Sequence, residues 1–148
     1  MQSNGWIWLI LLFVFFARST AFGFCFNQAG DVYQISPVLI KAIAKVESGL
    51  DPLAANQNKN GSYDTGLMQI NSRWQPHLGS RWQQLSSPCY NVMAGTWILR
   101  QCMDRYGYTW DAVACYHTGK GLSDSSGQKQ IRARTYVRRI QNALGKIE

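Results

Sequence analysis

One carboxylate in this chain stands where the local chemistry makes charge expensive. Glu47 closes the run from Ser36 to Gly49, in which Ser36 and Pro37 carry N-cap and first-turn chemistry and apolar residues recur at helical spacing. Gly49 and then Asp51-Pro52 stop the helix. Ile40, Ile43 and Glu47 share one face, whereas Lys41 and Lys45, which would neutralise the carboxylate, point elsewhere. Desolvation beside Ile43 and the negative end of the helix dipole both favour the protonated form, so the Glu47 pKa is expected to be raised. A neutral carboxylic acid of this kind can protonate a leaving-group oxygen, the step on which cleavage of a glycosidic bond depends. The bland alternative is a Glu at the edge of the stripe with its head in water.

Further residues extend this chemistry. Glu47-Ser48 is followed by Gly66-Leu67-Met68-Gln69-Ile70-Asn71 and then by Ala114-Cys115-Tyr116. These three motifs, in this order, resemble the soluble lytic transglycosylase domain of the lysozyme superfamily. The likeness is greatest to the small periplasmic branch that serves conjugation (type IV), type III secretion and pilus systems, and it runs from Cys25 to about Leu144. It implies a mainly α (α+β) lysozyme-like domain, with helices around a substrate groove and a small β-hairpin or loop element. It also implies that Glu47 protonates the bridging oxygen between MurNAc and GlcNAc, and that the muramic 6-hydroxyl then attacks the anomeric carbon to give a 1,6-anhydro product.

The same resemblance makes Ser48, Gly66, Met68, Gln69 and Tyr116 candidate substrate-binding residues. Gly66 should let the chain approach a sugar closely, and the other four each have a structural alternative: Ser48 as a helix-end residue bonding its own backbone, Met68 and Gln69 as core, Tyr116 as a buried aromatic. Where the family has Tyr-Asn-Ala-Gly, this chain has Tyr116-His117-Thr118-Gly119, which leaves open the polar contact made by that Asn. His117 reads as a surface or groove-edge residue rather than a base.

Asp64 is a second catalytic candidate. The stretch Gly61-Ser62-Tyr63-Asp64-Thr65-Gly66 also looks like the hairpin of animal-type lysozymes, in which an Asp at the matching position is the second carboxylate. A retaining hydrolase needs two carboxyls about 5 to 5.5 Å apart. The alternative is an ordinary turn Asp bonded to backbone amides. Three functions therefore stand open: a lytic transglycosylase, a lysozyme-type hydrolase of the same bond, and a non-catalytic wall-binding assembly factor.

The rest of the chain is organised around one domain. With 148 residues, 46% apolar and 13% aromatic content and no repeat or low-complexity linker, a single core is expected over residues 24–148. Residues 1–23 read as a signal peptide: Trp6 to Ala17 form an apolar block of twelve, followed by small residues at Ser19, Ala21 and Gly23. That block is shorter than the roughly 17 to 25 residues of a spanning helix. The segment before it, MQSNG, has no basic side chain, so an uncleaved anchor is the alternative, and it is the one route to membrane contact. Phe24 before Cys25 argues against lipidation. A periplasmic location follows from these features.

Four cysteines, Cys25, Cys89, Cys102 and Cys115, lie after the signal, an even number suited to two disulfides in an oxidising compartment. With no CxxC spacing and only His77 and His117 available, no metal site and no cofactor is expected. Of three pairings, Cys102 with Cys115 is favoured, because Tyr106-Gly107-Tyr108-Thr109 reads as a tight turn between antiparallel helices. Cys25 then pairs with Cys89.

Without Arg18 the chain has 14 Lys and Arg against 8 Asp and Glu, a net charge of +6 that favours an anionic polymer such as peptidoglycan. The cluster Arg132, Arg134, Arg138 and Arg139 reads as a wall contact or a solvated helix face. No nucleic-acid motif accompanies the charge. Proteins of a secretion, conjugation or pilus apparatus are further partners implied by the resemblance.

The elements that must position these residues can be placed coarsely. A first helix puts Cys25, Phe26, Ala29, Val32 and Tyr33 on an apolar face and ends near Gln34 or Ile35. Asn56 to Asp64 is turn and hairpin chemistry centred on Asn60-Gly61. Ser87-Pro88 opens a long helix to Gly107, with Val92, Met93, Thr96, Trp97, Leu99 and Cys102 inward. Thr109 caps the next helix, and Ile131 to Leu144 forms the last, with Val137, Ile140 and Leu144 inward.

Overall fold

The structure is a computed structural model that describes residues 24–146; the expected signal, residues 1–23, lies outside them. Helix α1 (Phe26–Tyr33) and helix α2 (Pro37–Ser48) come first. Strands β1 (Ala55–Gln57), β2 (Tyr63–Thr65) and β3 (Ile70–Asn71) follow. Two short 3-10 segments, Ser72–Trp74 and Gly79–Ser86, flank the single-turn helix α3 (Gln75–Leu78). The chain closes with α4 (Pro88–Tyr106), α5 (Trp110–Thr118) and α6 (Gly127–Leu144). This is a mainly helical, α+β arrangement, as the sequence implies.

The core is built where apolar stripes meet. Ile40 and Ile43 of α2, Val92, Ile98 and Leu99 of α4, Val113 of α5 and Val137 and Ile140 of α6 are all buried. α4 packs on α5 and α1, while α6 lies across both α2 and α5. That last arrangement matters most for function, because it brings the middle of α6 against the end of α2. Val32, expected to face inward on α1, is 58% exposed. The stripe of this short helix is carried instead by Ala29, with Phe26 and Tyr33 packed at the margin.

Two disulfides fix the helical frame. Cys25–Cys89 ties the start of α1 to the start of α4, and Cys102–Cys115 ties α4 to α5 across the turn at Gly107. The second is the pairing that the short turn suggests. Thr109 occupies the N-cap position of α5, but its hydroxyl donates to the Tyr106 carbonyl at 2.9 Å instead of accepting from the helix. Its side chain thus secures the turn and leaves the helix end without a side-chain cap.

The three strands form an antiparallel sheet in the order β1-β2-β3, with Asp64 of β2 opposite Asn56 on one side and Asn71 on the other. The Asn60-Gly61 turn is where the hairpin chemistry put it: Gly61 has φ +81 and its N–H donates to the Asn58 carbonyl at 3.0 Å. β3 and the 72–86 segment have no counterpart in the sequence reading. Aromatic contacts hold that segment, with Tyr63 edge-on to Trp82 at 6.0 Å and Trp74 edge-on to Trp97 at 5.6 Å. Among the described residues no helix is long and apolar enough to cross a membrane.

Candidate active site

Glu47 lies in the last turn of α2, partly exposed as a residue but with its carboxyl group shielded from solvent, with Ile43 fully buried one turn before it and Lys41 and Lys45 exposed. Its carboxylate oxygen Oε1 accepts a hydrogen bond from the Tyr136 hydroxyl at 2.6 Å. Burial is the main cause that pushes the Glu47 pKa from the ordinary 4.5 up to about 7. The Tyr136 bond opposes this rise, Asp64 adds to it, and Arg139 opposes it. The side chain thus holds a proton at near-neutral pH and can give it up there.

Tyr136 belongs to the candidate site and was not singled out from the sequence. It is only 3% exposed, on the buried stripe of α6 with Ala133, Val137 and Ile140. A signal was present: a tyrosine on such a stripe needs a partner for its hydroxyl. Burial, then the charge of Glu47, holds its phenol well above the usual range, so it acts as a neutral donor. Arg139, one turn further along α6, donates to the Val46 carbonyl at 3.1 Å. That member of the arginine cluster ties α6 to the C-terminal end of α2 and brings its charge near Glu47.

The segment after β2 forms the second wall, and it is shaped by one buried amide. Asn91 of α4, 1% exposed, accepts from the Met68 N–H at 2.8 Å and donates to the Thr65 carbonyl at 3.0 Å and the Leu85 carbonyl at 3.2 Å. Every polar atom it has is used in holding residues 65–68 in place. Gly66 has φ +78, and a Cβ there would lie 2.2 Å from the Asn91 amide nitrogen. The close approach that already requires glycine here is to Asn91. Asn91, an amide on the inward face of α4, was also missed from the sequence.

Of the two readings of Met68, groove or core, its side chain takes the second: it is 0% exposed and packs against Gly95, where a Cβ would come within 2.5 Å. What Met68 offers the site is its backbone carbonyl, which accepts from the Tyr116 hydroxyl at 2.7 Å. Burial, then the charges of Glu47 and Asp64, keeps the Tyr116 phenol neutral, with its pKa well above the ordinary value. Ser48 shares its hydroxyl between the Ala44 carbonyl at 3.1 Å and the Leu67 carbonyl at 2.9 Å. It therefore pins the end of α2 to the 66–69 turn. Gln69, at φ +47, donates its amide to the Ala54 and Gly66 carbonyls and accepts from Asn56 at 3.0 Å. As they stand, Ser48 and Gln69 are engaged with protein atoms.

Asp64 is not a backbone-bonded turn residue. It sits in the middle strand, where Oδ2 accepts from Asn58 at 2.8 Å and Oδ1 from Asn71 at 2.6 Å. Ser62 in turn binds the same two amides, at 3.2 and 3.1 Å. The Asp64 charge is felt at Glu47, Tyr116 and His117. β2, α2 and α5 therefore converge on one site, with a dry carboxyl on the helical side and an amide-held carboxyl on the sheet side. His117 stacks on Tyr136, the rings 4.4 Å apart and 7° from parallel. Among the described residues, no cluster of His, Cys, Asp and Glu side chains gathers to hold a metal ion.

A buried acid at a helix end, opposite a small sheet bearing a second carboxylate, is the layout of a lysozyme-like glycosidase. Residues 24–137 match the family described as "Transglycosylase SLT domain", and the chain belongs to that family of peptidoglycan lytic transglycosylases. It is 37% identical over 146 residues to "Invasion protein IagB" of Salmonella typhimurium (strain SL1344), covering 96% of this chain and 84% of that protein. It is 41% identical over 99 residues to "Protein IpgF" of Shigella sonnei, covering 64% of this chain and 65% of that one. Among solved structures, an inactive mutant of the lytic transglycosylase Slt from Pseudomonas aeruginosa superposes with a TM-score of 0.63 at 22% identity. That likeness concerns the fold; it covers 80% of this chain and 22% of the larger one.

Proposed function

We propose that the chain cleaves the β-1,4 bond between MurNAc and GlcNAc with Glu47 as general acid and then general base. The observation that carries this reading is the buried, Tyr136-bonded Glu47 with a pKa of about 7. Glu47 protonates the bridging oxygen, the bond from the anomeric carbon to that oxygen breaks, and positive charge builds at the sugar. The muramic 6-hydroxyl oxygen then attacks the anomeric carbon while the Glu47 carboxylate takes its proton. A 1,6-anhydroMurNAc end results, Glu47 is protonated again, and no water is consumed. Asp64, held by two amides, is placed to stabilise the developing positive charge. Ser48, Gly66, Met68 and Gln69 shape the groove chiefly through the backbone they hold, and Tyr116 braces the Met68 carbonyl beside the acid.

The second reading, a lysozyme-type hydrolase, is favoured by Asp64 alone, because it supplies the second carboxyl such chemistry needs. Product analysis decides between them. Purified peptidoglycan digested with the protein should release fragments with anhydromuramic ends, lighter by one water than reducing-end fragments. Reducing ends alone would reject the transglycosylase outcome, and no release at all would favour the wall-binding module.

The two disulfides fit an oxidising compartment outside the cytoplasm, and export through residues 1–23 to the periplasm is consistent with a wall substrate. The similarity to a protein named for invasion supports a role in opening local gaps in the wall for a secretion apparatus. The +6 charge of the chain beyond residue 23 would draw it to the anionic polymer.

A further inference from the structure

His117 stands where the family has Asn, and it touches the site through another aromatic ring. It follows Tyr116 on α5 and is exposed on one side, while its other side lies against Tyr136 of α6 at 4.4 Å and 7° from parallel. The Tyr136 hydroxyl in turn donates to Glu47 Oε1 at 2.6 Å. Packing on the faces of a phenol ring restricts its rotation and so keeps its hydroxyl at one oxygen. The core supplies one side here, and the imidazole covers another.

We propose that His117 is a positioning residue for the general acid: its imidazole, lying flat on the Tyr136 phenol, keeps that ring oriented so that its hydroxyl donates to Glu47. The inference rests on the reading of Glu47 as the acid. The groups acting on the imidazole are Arg139 and Arg132 of α6 and Asp64 of β2. Burial, followed by those two arginines, lowers its pKa below the ordinary 6.5, with Asp64 opposing. That shift disfavours the imidazolium, so the surroundings oppose a cation beside the developing positive charge.

The sign of the effect is fixed by the hydrogen bond. Tyr136 donates to the carboxylate form and so holds the Glu47 pKa lower than burial alone would set it. Loss of the stack frees the phenol and weakens that bond. The Glu47 pKa then rises, and the basic limb of the activity profile moves to higher pH.

The test uses His117→Ala, His117→Asn and His117→Phe, each in the wild-type and the Tyr136→Phe backgrounds. Glu47 is titrated by carbon NMR of its side-chain carboxyl, and kcat and KM on soluble glycan strands are followed across pH. Ala and Asn should raise the Glu47 pKa and the basic limb together and lower kcat by about three- to tenfold with little change in KM, as expected for loss of one aromatic contact. His117→Phe should restore the limb, and in the Tyr136→Phe background none of the three should move it. A Glu47 pKa that stays put or falls in His117→Ala, or that rises equally in the Tyr136→Phe background, overturns the proposal. Because His117 is exposed at the end of α5, thermal unfolding of the Ala and Asn variants should stay close to wild type. If the NMR shift appears as expected but Glu47→Gln remains fully active, the positioning stands and the assignment of the acid fails.

Discussion

The two carboxylates of the site are held in opposite ways. Glu47 comes from the end of a helix, is desolvated by α6, and has a tyrosine hydroxyl on one oxygen. Asp64 comes from the middle of a three-stranded sheet, and each oxygen accepts from an asparagine amide. The helical half withholds solvation from a charge, whereas the sheet half supplies two donors that stand in for water around an anion. One fold thereby gives two residues of the same chemistry opposite surroundings, and in the mechanism proposed above these suit proton donation on one side and charge stabilisation on the other. The contrast lies in the surroundings rather than in the residue types.

The most severe way to break this comparison is Glu47→Gln, which keeps the volume and removes the proton. Turnover of peptidoglycan should fall by about 10²–10⁴-fold, measured as release of soluble fragments. Activity within a few-fold of wild type would remove Glu47 from the mechanism.

The same variant should show what the dry environment costs. A carboxyl whose pKa rises on folding contributes stability below its unfolded pKa and loses that contribution as pH rises through the folded value. For Glu47 the window runs from the ordinary 4.5 to about 7. At about 1.4 kcal/mol per unit, the full change is on the order of 3 kcal/mol. Glu47→Gln should therefore be more stable than wild type above pH 7, with the difference shrinking as pH falls towards 4.5. Denaturant unfolding at the two ends of that range checks it, and a pH-independent difference would contradict the burial argument.

On the sheet side, Asp64→Asn keeps shape and removes the charge. If that charge steadies the sugar, kcat should fall by about ten- to a hundredfold while the unfolding midpoint shifts little. A variant that loses stability but keeps its turnover per folded molecule would make Asp64 a structural residue. The smallest effect is expected for Asn71→Ala. Taking one donor from Asp64 should lower kcat by about three- to tenfold, and Asn58→Ala should do the same. Unequal losses would show which oxygen of Asp64 faces the sugar.

Much of the frame was legible locally. The Ser36-Pro37 and Ser87-Pro88 signals opened α2 and α4, and Gly49 and Gly107 ended them. The last helix begins at Gly127, four residues before the apolar periodicity that betrays it, since its first turn is polar. Glu47 could be found because Ile40 and Ile43 mark the face it shares. Asn71 and Asp64 could be named, but their pairing required the strand register that sets them opposite each other. Met68 and Gly66 could be singled out along the chain, yet which way each faces depended on Asn91 and Gly95, both on a helix distant in sequence.

The sequence by itself determined what a window of four to seven residues can decide: which segments are helical, which face is apolar, where the chain turns, and that Glu47 lies on a stripe hostile to charge. Those follow from local sterics and from the 3.6-residue period, which need no distant partner. Only the tertiary structure decided that Tyr136, 89 residues away, is the hydroxyl on Glu47, that His117 covers that tyrosine, and that Asn91 shapes the opposite wall. The physical reason is that each of these contacts is fixed by how α4, α5 and α6 pack together, and a buried polar group finds its partner only once the surrounding surfaces have met.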